Sequence, residues 1–375
     1  MHLPFCFHKC HYCDFFSVVE SEGQDAPRQL AFAEALIAEL ENRCESSHIR
    51  PTTLFAGGGT PTYLRLELWE QLLQAMNRLG ILTSKDEQEF TVEANPETVT
   101  PELMHALVAG GVNRVSIGAQ SFDRDSLKAL ERWHDPESVP RTVQIIRDAG
   151  LTNFSLDLIF AIPGQTLAML DRDLDALVAL EPTHLSTYGL TYEPNTPLTA
   201  KLRVGQVSRV DEDLEREMYE LILTKLEAAG YEHYEVSNWA KADPDTDYRC
   251  RHNLAYWHNK NWLGVGPSAA SHVKGQRWRN APNLSQYLAG SPDPPMQDHE
   301  QLDAAGRFAE QLMLGLRLRE GIDAEWFDQH PALRDDQRET VNEWINLGVL
   351  ERTHGQLRLT RKGLFVADTV IAKLL

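Results

Sequence analysis

Hydrophobic positions in the first half of the chain change period repeatedly. Across residues 28–44 they recur at helical spacing and leave one apolar face. Residues 52–56 are short, apolar and followed by Gly57-Gly58-Gly59-Thr60-Pro61, which reads as a strand running into a turn. A second amphipathic helix fits 66–79. Further strands fit 89–93, 113–117, 153–159 and 184–189, each followed by a helix or loop. Strands that alternate with helices predict an α/β fold, a parallel sheet covered by helices. In barrels built this way the working residues sit at strand C-termini and in the loops that follow. The polar residues that stand out fall in or near such places: the glycine run, Glu93, Gln120 and Asp157.

After about residue 200 the alternation stops. Residues 210–229 and 300–319 each read as one long helix. Residues 335–375 read as a helix, a hairpin with strands at 349–351 and 357–359, and a closing helix, a winged-helix pattern. The most linker-like stretches are 241–248 and 290–298, rich in Pro and Asp. The expected organisation is a barrel over 1–200, an extension over 201–298 and a winged-helix-like domain over 299–375.

Composition narrows the function classes. A hydrophobic content of 42% over 375 residues supports a large core. The net charge of −19 argues against phosphate-dominated nucleic-acid binding, so the winged tail is expected to pack rather than to read DNA. No stretch reaches the roughly eighteen apolar residues of a membrane span. The chain opens MHLPFC, with neither a basic segment nor an apolar one of the secretory kind. The expectation is a cytoplasmic protein whose membrane contact, if any, is peripheral.

The chemistry is concentrated in the first thirteen residues. Cys6, Cys10 and Cys13 stand in CFHKCHYC, a C-x3-C-x2-C spacing. Three thiolates can hold three irons of a [4Fe–4S] cluster, leaving the fourth iron open to a chelating ligand. Zinc remains the minor alternative, because His2, His8 and His11 lie close by. Disulfides fit poorly with five cysteines, an odd number, in a reducing compartment.

That spacing resembles the signature of the radical S-adenosylmethionine (SAM) superfamily. The longer motifs HLPFCxxKCxYCDF, GGGTP, EANPE, GAQSFDxxxLxxLxRxH, SLDLIFAIPGQT and HNxxYW resemble the oxygen-independent coproporphyrinogen III oxidase-like family over nearly the whole chain. The resemblance implies a partial (β/α)6 barrel with a C-terminal domain, and a cluster on Cys6, Cys10 and Cys13. It implies SAM contacts from Gly58, Gly59, Thr60, Glu93, Gln120, Arg132 and Asp157. On their own, a glycine run is usually a tight turn, Glu93 a solvated carboxylate and Arg132 an exposed helical cation. Asp157 differs, since a carboxylate inside an apolar strand is costly unless paired or facing a ligand.

Two departures separate the chain from the oxidase of that family. The oxidase has a further Cys two places after the third, where this chain has Phe15. The chain also starts five residues before Cys6, so the position of a SAM-contacting Tyr six places before that cysteine falls outside it; either the start is assigned too far downstream or most of the first strand is lacking, and no N-terminal extension of the oxidase kind is expected. A second constellation lies at Cys250, His252, Tyr256 and Trp257. Imidazole and thiolate both ligate heme iron, and the two aromatics suit a porphyrin face or edge. A histidine in a loop is by itself more often a surface residue; the HNxxYW match makes His252 the leading ligand candidate, Cys250 the second and His258 a distant third. The resemblance therefore implies heme as a further ligand. It points to a heme chaperone that hands heme to an acceptor protein, a respiratory one among the candidates. The alternative is oxidative decarboxylation of coproporphyrinogen III.

Overall fold

The computed structural model describes residues 1–20, 26–46, 50–84 and 87–375. The strand β1 (His2–Leu3) opens the main sheet. Two short strands, β2 (Phe5–Cys6) and β3 (Val18–Val19), pair in parallel on either side of the cysteine loop. Five longer strands follow: β4 (Thr53–Gly58), β5 (Glu89–Ala94), β6 (Arg114–Gln120), β7 (Phe154–Phe160) and β8 (His184–Gly189). With β1 they form six consecutive parallel strands in the order β1-β4-β5-β6-β7-β8. This is the expected partial barrel. Both faces are covered: alternate positions are apolar, and the others carry polar residues such as Thr91, Glu93, Ser116, Ser155 and Asp157. In β6 every residue but Gln120 is buried.

Helices cover the outside, and their sequences say why. Helix Leu66–Arg78 buries Leu68, Trp69, Leu72, Leu73 and Met76, one stripe at helical spacing. Thr100, Thr166 and Thr196 cap the helices that follow them, accepting from the backbone NH of Leu103, Met169 and Thr199. The helical segments thus start where the strand-end loops finish, which fixes the length of each loop.

The sheet does not stop where the alternation stops. A hairpin of β9 (Tyr231–Glu235) and β10 (Asn238–Lys241) extends it antiparallel, β10 pairing with β8. Both strands lie in the stretch expected to be an extension outside the barrel. Their sequence YEHYEVSNWAK hides the pattern, because it is carried by Tyr231, Tyr234 and a fully buried Trp239 rather than by aliphatic residues. Beyond it lie two three-stranded antiparallel sheets. One holds β11 (Ala270–Val273), β12 (Gln276–Asn280) and β13 (Met296–Gln301). The other holds β14 (Ile322–Asp323), β15 (Leu350–Thr353) and β16 (Gln356–Leu359). The strand β13 takes residues read as linker and helix start. The helix expected from 300 begins at Ala304, where Asp303 accepts from Gly306 NH. The tail follows its expected order of helix Asp335–Asn346, hairpin β15–β16 and closing helix Ala367–Leu374.

Candidate functional site

Backbone hydrogen bonds tie the cysteine loop to the glycine run. Gly59 NH donates to Leu3 O and Thr60 NH to Phe5 O, both at 2.8 Å. The approach is close enough to exclude side chains. A Cβ on Gly59 would stand 2.7 Å from Pro4 carbonyl carbon, and one on Gly57 would stand 2.6 Å from Glu93 Oε2. Gly58 has φ +105°, a conformation glycine takes without strain.

Above this cradle is a cavity of about 550 Å³. All ten residues expected for cluster and SAM line it: Cys6, Cys10, Cys13, Gly58, Gly59, Thr60, Glu93, Gln120, Arg132 and Asp157. Phe15 lines it too, at the place of the oxidase's extra cysteine. Two thiols receive donors: Thr60 Oγ1 lies 3.5 Å from Cys6 Sγ, and Arg132 Nη1 lies 3.5 Å from Cys10 Sγ. Burial pushes the Cys13 thiol up to about 11 and raises that of Cys6, so a cation is needed to hold these sulfurs as thiolates. Among the described residues, no three His, Cys, Asp or Glu side chains converge as one metal ion demands.

Each polar residue is aimed by its strand end. Gln120 has φ +63° at a β-bulge between β6 and β7, which turns its side chain at the strand terminus. The turn after it is pinned by buried Asp173, which accepts from Ser121 Oγ at 2.6 Å and Phe122 NH at 2.8 Å. Asp157 accepts from Ser116 Oγ at 3.1 Å and Ser155 Oγ at 3.2 Å. Glu93 accepts from Gly58 NH at 3.2 Å. Burial, and then the nearby Asp157 carboxylate, push Glu93 up to about 7. Arg132 is not an exposed helical cation. It lies past the end of helix Arg124–Ala129, partly buried, with Nη2 donating to Gly118 O at 2.9 Å and Nε to His134 Nδ1 at 3.2 Å. Sequence reasoning missed Ser116 and Ser155. Strand alternation carried the signal, since Ser155 shares a face with Asp157 and pairs in register with Ser116.

The second constellation lies elsewhere, on a short helix, Arg251–Trp257, rather than in a loop. Glu89 caps it: its carboxylate accepts from Arg251 NH at 2.9 Å and His252 NH at 3.0 Å. Cys250 is completely buried, its Sγ 3.7 Å from Glu89 Oε1, and burial pushes its thiol up to about 12. It is closed to a ligand the size of heme in this conformation. Both His252 nitrogens are engaged, Nδ1 with Thr53 Oγ1 at 2.8 Å and Nε2 with Tyr256 Oη at 3.0 Å. The ring stacks on Phe55, and burial holds its pKa down to about 3, so it is the neutral form. His258 lies 3.6 Å from Glu320.

The helix separates two cavities. His252 and Tyr256 line one of about 320 Å³, on the side of Thr53 and Phe55. Tyr256 and Trp257 line one of about 960 Å³, which shares Tyr188, Gly189, Leu190 and Thr191 with the cysteine cavity.

Comparison with known proteins agrees with this geometry. The radical SAM superfamily profile matches residues 1–177, and the HemN C-terminal domain profile matches residues 302–366. Fold and cavity are thus those of a radical SAM protein with a HemN-type tail. The heme chaperone HemW of Lactococcus lactis is 34% identical over 379 residues, covering 100% of this chain and 96% of its own. That of Bacillus subtilis is 32% identical over 381 residues, covering 100% and 98%. The chain belongs to the HemW family. The coproporphyrinogen III oxidase (HemN) structure from Escherichia coli superposes with a TM-score of 0.83, covering 100% of this chain and 88% of that one; at 20% identity it shows the shared fold. A radical SAM protein takes a [4Fe–4S] cluster and SAM. The residues present fit both: three thiols around one cavity, a glycine cradle without room for a Cβ, and two partly buried carboxylates lining it.

Proposed function

We propose that this protein is a heme chaperone. It carries a [4Fe–4S] cluster on Cys6, Cys10 and Cys13, binds SAM beside it, holds heme and passes it to an acceptor protein. The bound cluster supplies one iron with an open coordination position for SAM. Around it Gly58, Gly59 and Thr60 offer backbone to the amino-acid end of SAM, Glu93 receives its ammonium, Arg132 its carboxylate, and Asp157 the ribose hydroxyls. Gln120 meets the nucleoside. Heme contacts Tyr256 and Trp257 in the larger cavity, and His252, which reaches that side through Tyr256, is its ligand once the Nε2 hydrogen bond to Tyr256 is exchanged for iron. Cys250 stays a buried helix-start residue.

One observation carries the chaperone reading over the oxidase reading. Full-length similarity to heme chaperones coincides with Phe15 in the cavity at the place of the oxidase's cysteine. The test is to incubate anaerobically reconstituted protein with heme and, separately, with coproporphyrinogen III, SAM and a reductant. Heme should bind stoichiometrically and no protoporphyrinogen IX should form. Decarboxylation in the second incubation would replace this reading by the oxidase.

A further inference from the structure

The cavity of about 960 Å³ beside the cluster site is lined by two arginine–aromatic pairs, three of whose donor atoms have no hydrogen-bond partner among the described residues. At one, the Arg209 guanidinium lies over the Tyr192 ring, 4.4 Å from its centroid. At the other, the Arg317 guanidinium lies over the Trp257 ring, 5.4 Å from its centroid. All four residues line the cavity. Tyr192 Oη, Trp257 Nε1 and Arg317 Nε are buried without a hydrogen-bond partner among the described residues. Arg209 has no ion pair there either, and the only one of Arg317 is 3.5 Å to Asp368, whose side chain is 90% exposed.

Leaving such donors unsatisfied is expensive, which marks a place where a ligand completes the site. A guanidinium placed over an aromatic face still has N–H groups to offer, and they match a carboxylate. The geometry points to a site for a flat aromatic dicarboxylate. One carboxylate goes to Arg209 with Tyr192, the other to Arg317 with Trp257. Resting on the heme reading above, these are the two propionates of heme. Glu212, Glu215, Glu235 and Asp368 share the cavity. Of these, Glu235 is already held by Ser237 NH and Asn238 Nδ2, and burial pushes it up to about 7. The acids disfavour any anion that does not reach both arginines.

The probes are heme and heme dimethyl ester, titrated into the reconstituted full chain and followed by Soret absorbance. The wild-type protein should bind the free acid about ten-fold or more tightly than the ester. Arg209→Ala and Arg317→Ala should each weaken the free acid by about ten-fold and leave the ester unchanged. Equal affinity of wild type for acid and ester would overturn the carboxylate site while leaving the heme reading intact, and that comparison needs no variant to fold. Free-acid affinity that survives in both variants would also overturn it. If wild type binds neither probe, the heme reading itself falls, and the site with it.

Discussion

His184 Nε2 and Tyr234 Oη share a hydrogen bond of 2.7 Å inside the sheet, between strands β8 and β9. On one side His184 Nδ1 meets Ser155 Oγ at 2.8 Å, and Ser155 reaches Asp157. On the other, Tyr234 Oη accepts from Cys250 NH at 3.3 Å. A buried polar chain therefore joins a carboxylate of the SAM cavity to the start of the helix that carries His252, Tyr256 and Trp257. Burial and the neighbouring Arg114 cation hold His184 well below its usual range, so it stays neutral and accepts or donates at either nitrogen.

Tyr234→Phe removes the middle of that chain and leaves His184 Nε2 and Cys250 NH buried without partners. The expected loss of stability is about 1–3 kcal/mol, read from chemical denaturation of the reconstituted protein. A variant as stable as wild type would mean that the chain tolerates a gap, and that its residues are held by packing alone.

Much of this site was legible in the sequence because radical SAM chemistry sits at strand ends. Cys6, Cys10 and Cys13 stood out by spacing and Asp157 by interrupting an apolar run, whereas Glu93 was singled out by its strand-end place and the family resemblance. What escaped was set by contacts between distant segments. The local pattern around Arg132 reads as an exposed helical residue and only the family resemblance singles it out; Gly118 O and Cys10 Sγ close around it. Cys250 reads as a ligand until Glu89, far away in sequence, receives it. Arg209 and Arg317 had no local pattern, since their partners Tyr192 and Trp257 lie on other elements. The β9–β10 hairpin was hidden because its buried positions are aromatic and its flanks are charged.

Removing the three cysteines tests the cluster assignment directly. Anaerobic reconstitution should give about four irons per wild-type chain. The triple variant Cys6→Ala, Cys10→Ala, Cys13→Ala should retain almost none, while Cys44→Ala should retain all. Full iron and sulfide in the triple variant would move the cluster elsewhere.

Glu93 gives a pH signature. Its pKa rises from 4.5 to about 7 on folding, so the native state holds the proton more tightly. Stability from this group is complete below about 4.5 and is lost as pH rises through 7. Glu93→Gln should therefore raise the Tm of the SAM-free protein at pH 8 and change it little at pH 4.5. Binding of the SAM ammonium should pull the proton off. Near pH 7, calorimetry in buffers of different ionisation heat should show proton release in wild type and none in Glu93→Gln. Equal release in both would assign the proton to another group.

The heme segment separates by the geometry of its two candidate ligands. His252 is neutral and hydrogen-bonded to Thr53 and Tyr256, so iron displaces one hydrogen bond of ordinary strength, about 1 kcal/mol net. Cys250 is completely buried beside Glu89, and drawing its thiol out would uncap the helix. His252→Ala should shift the Soret band and weaken heme binding by about ten-fold or more. Cys250→Ala should leave the band in place, and any change should appear as lost stability of the heme-free protein. If the Soret band moves in Cys250→Ala and not in His252→Ala, the thiolate is the ligand, and the helix Arg251–Trp257 must open to present it.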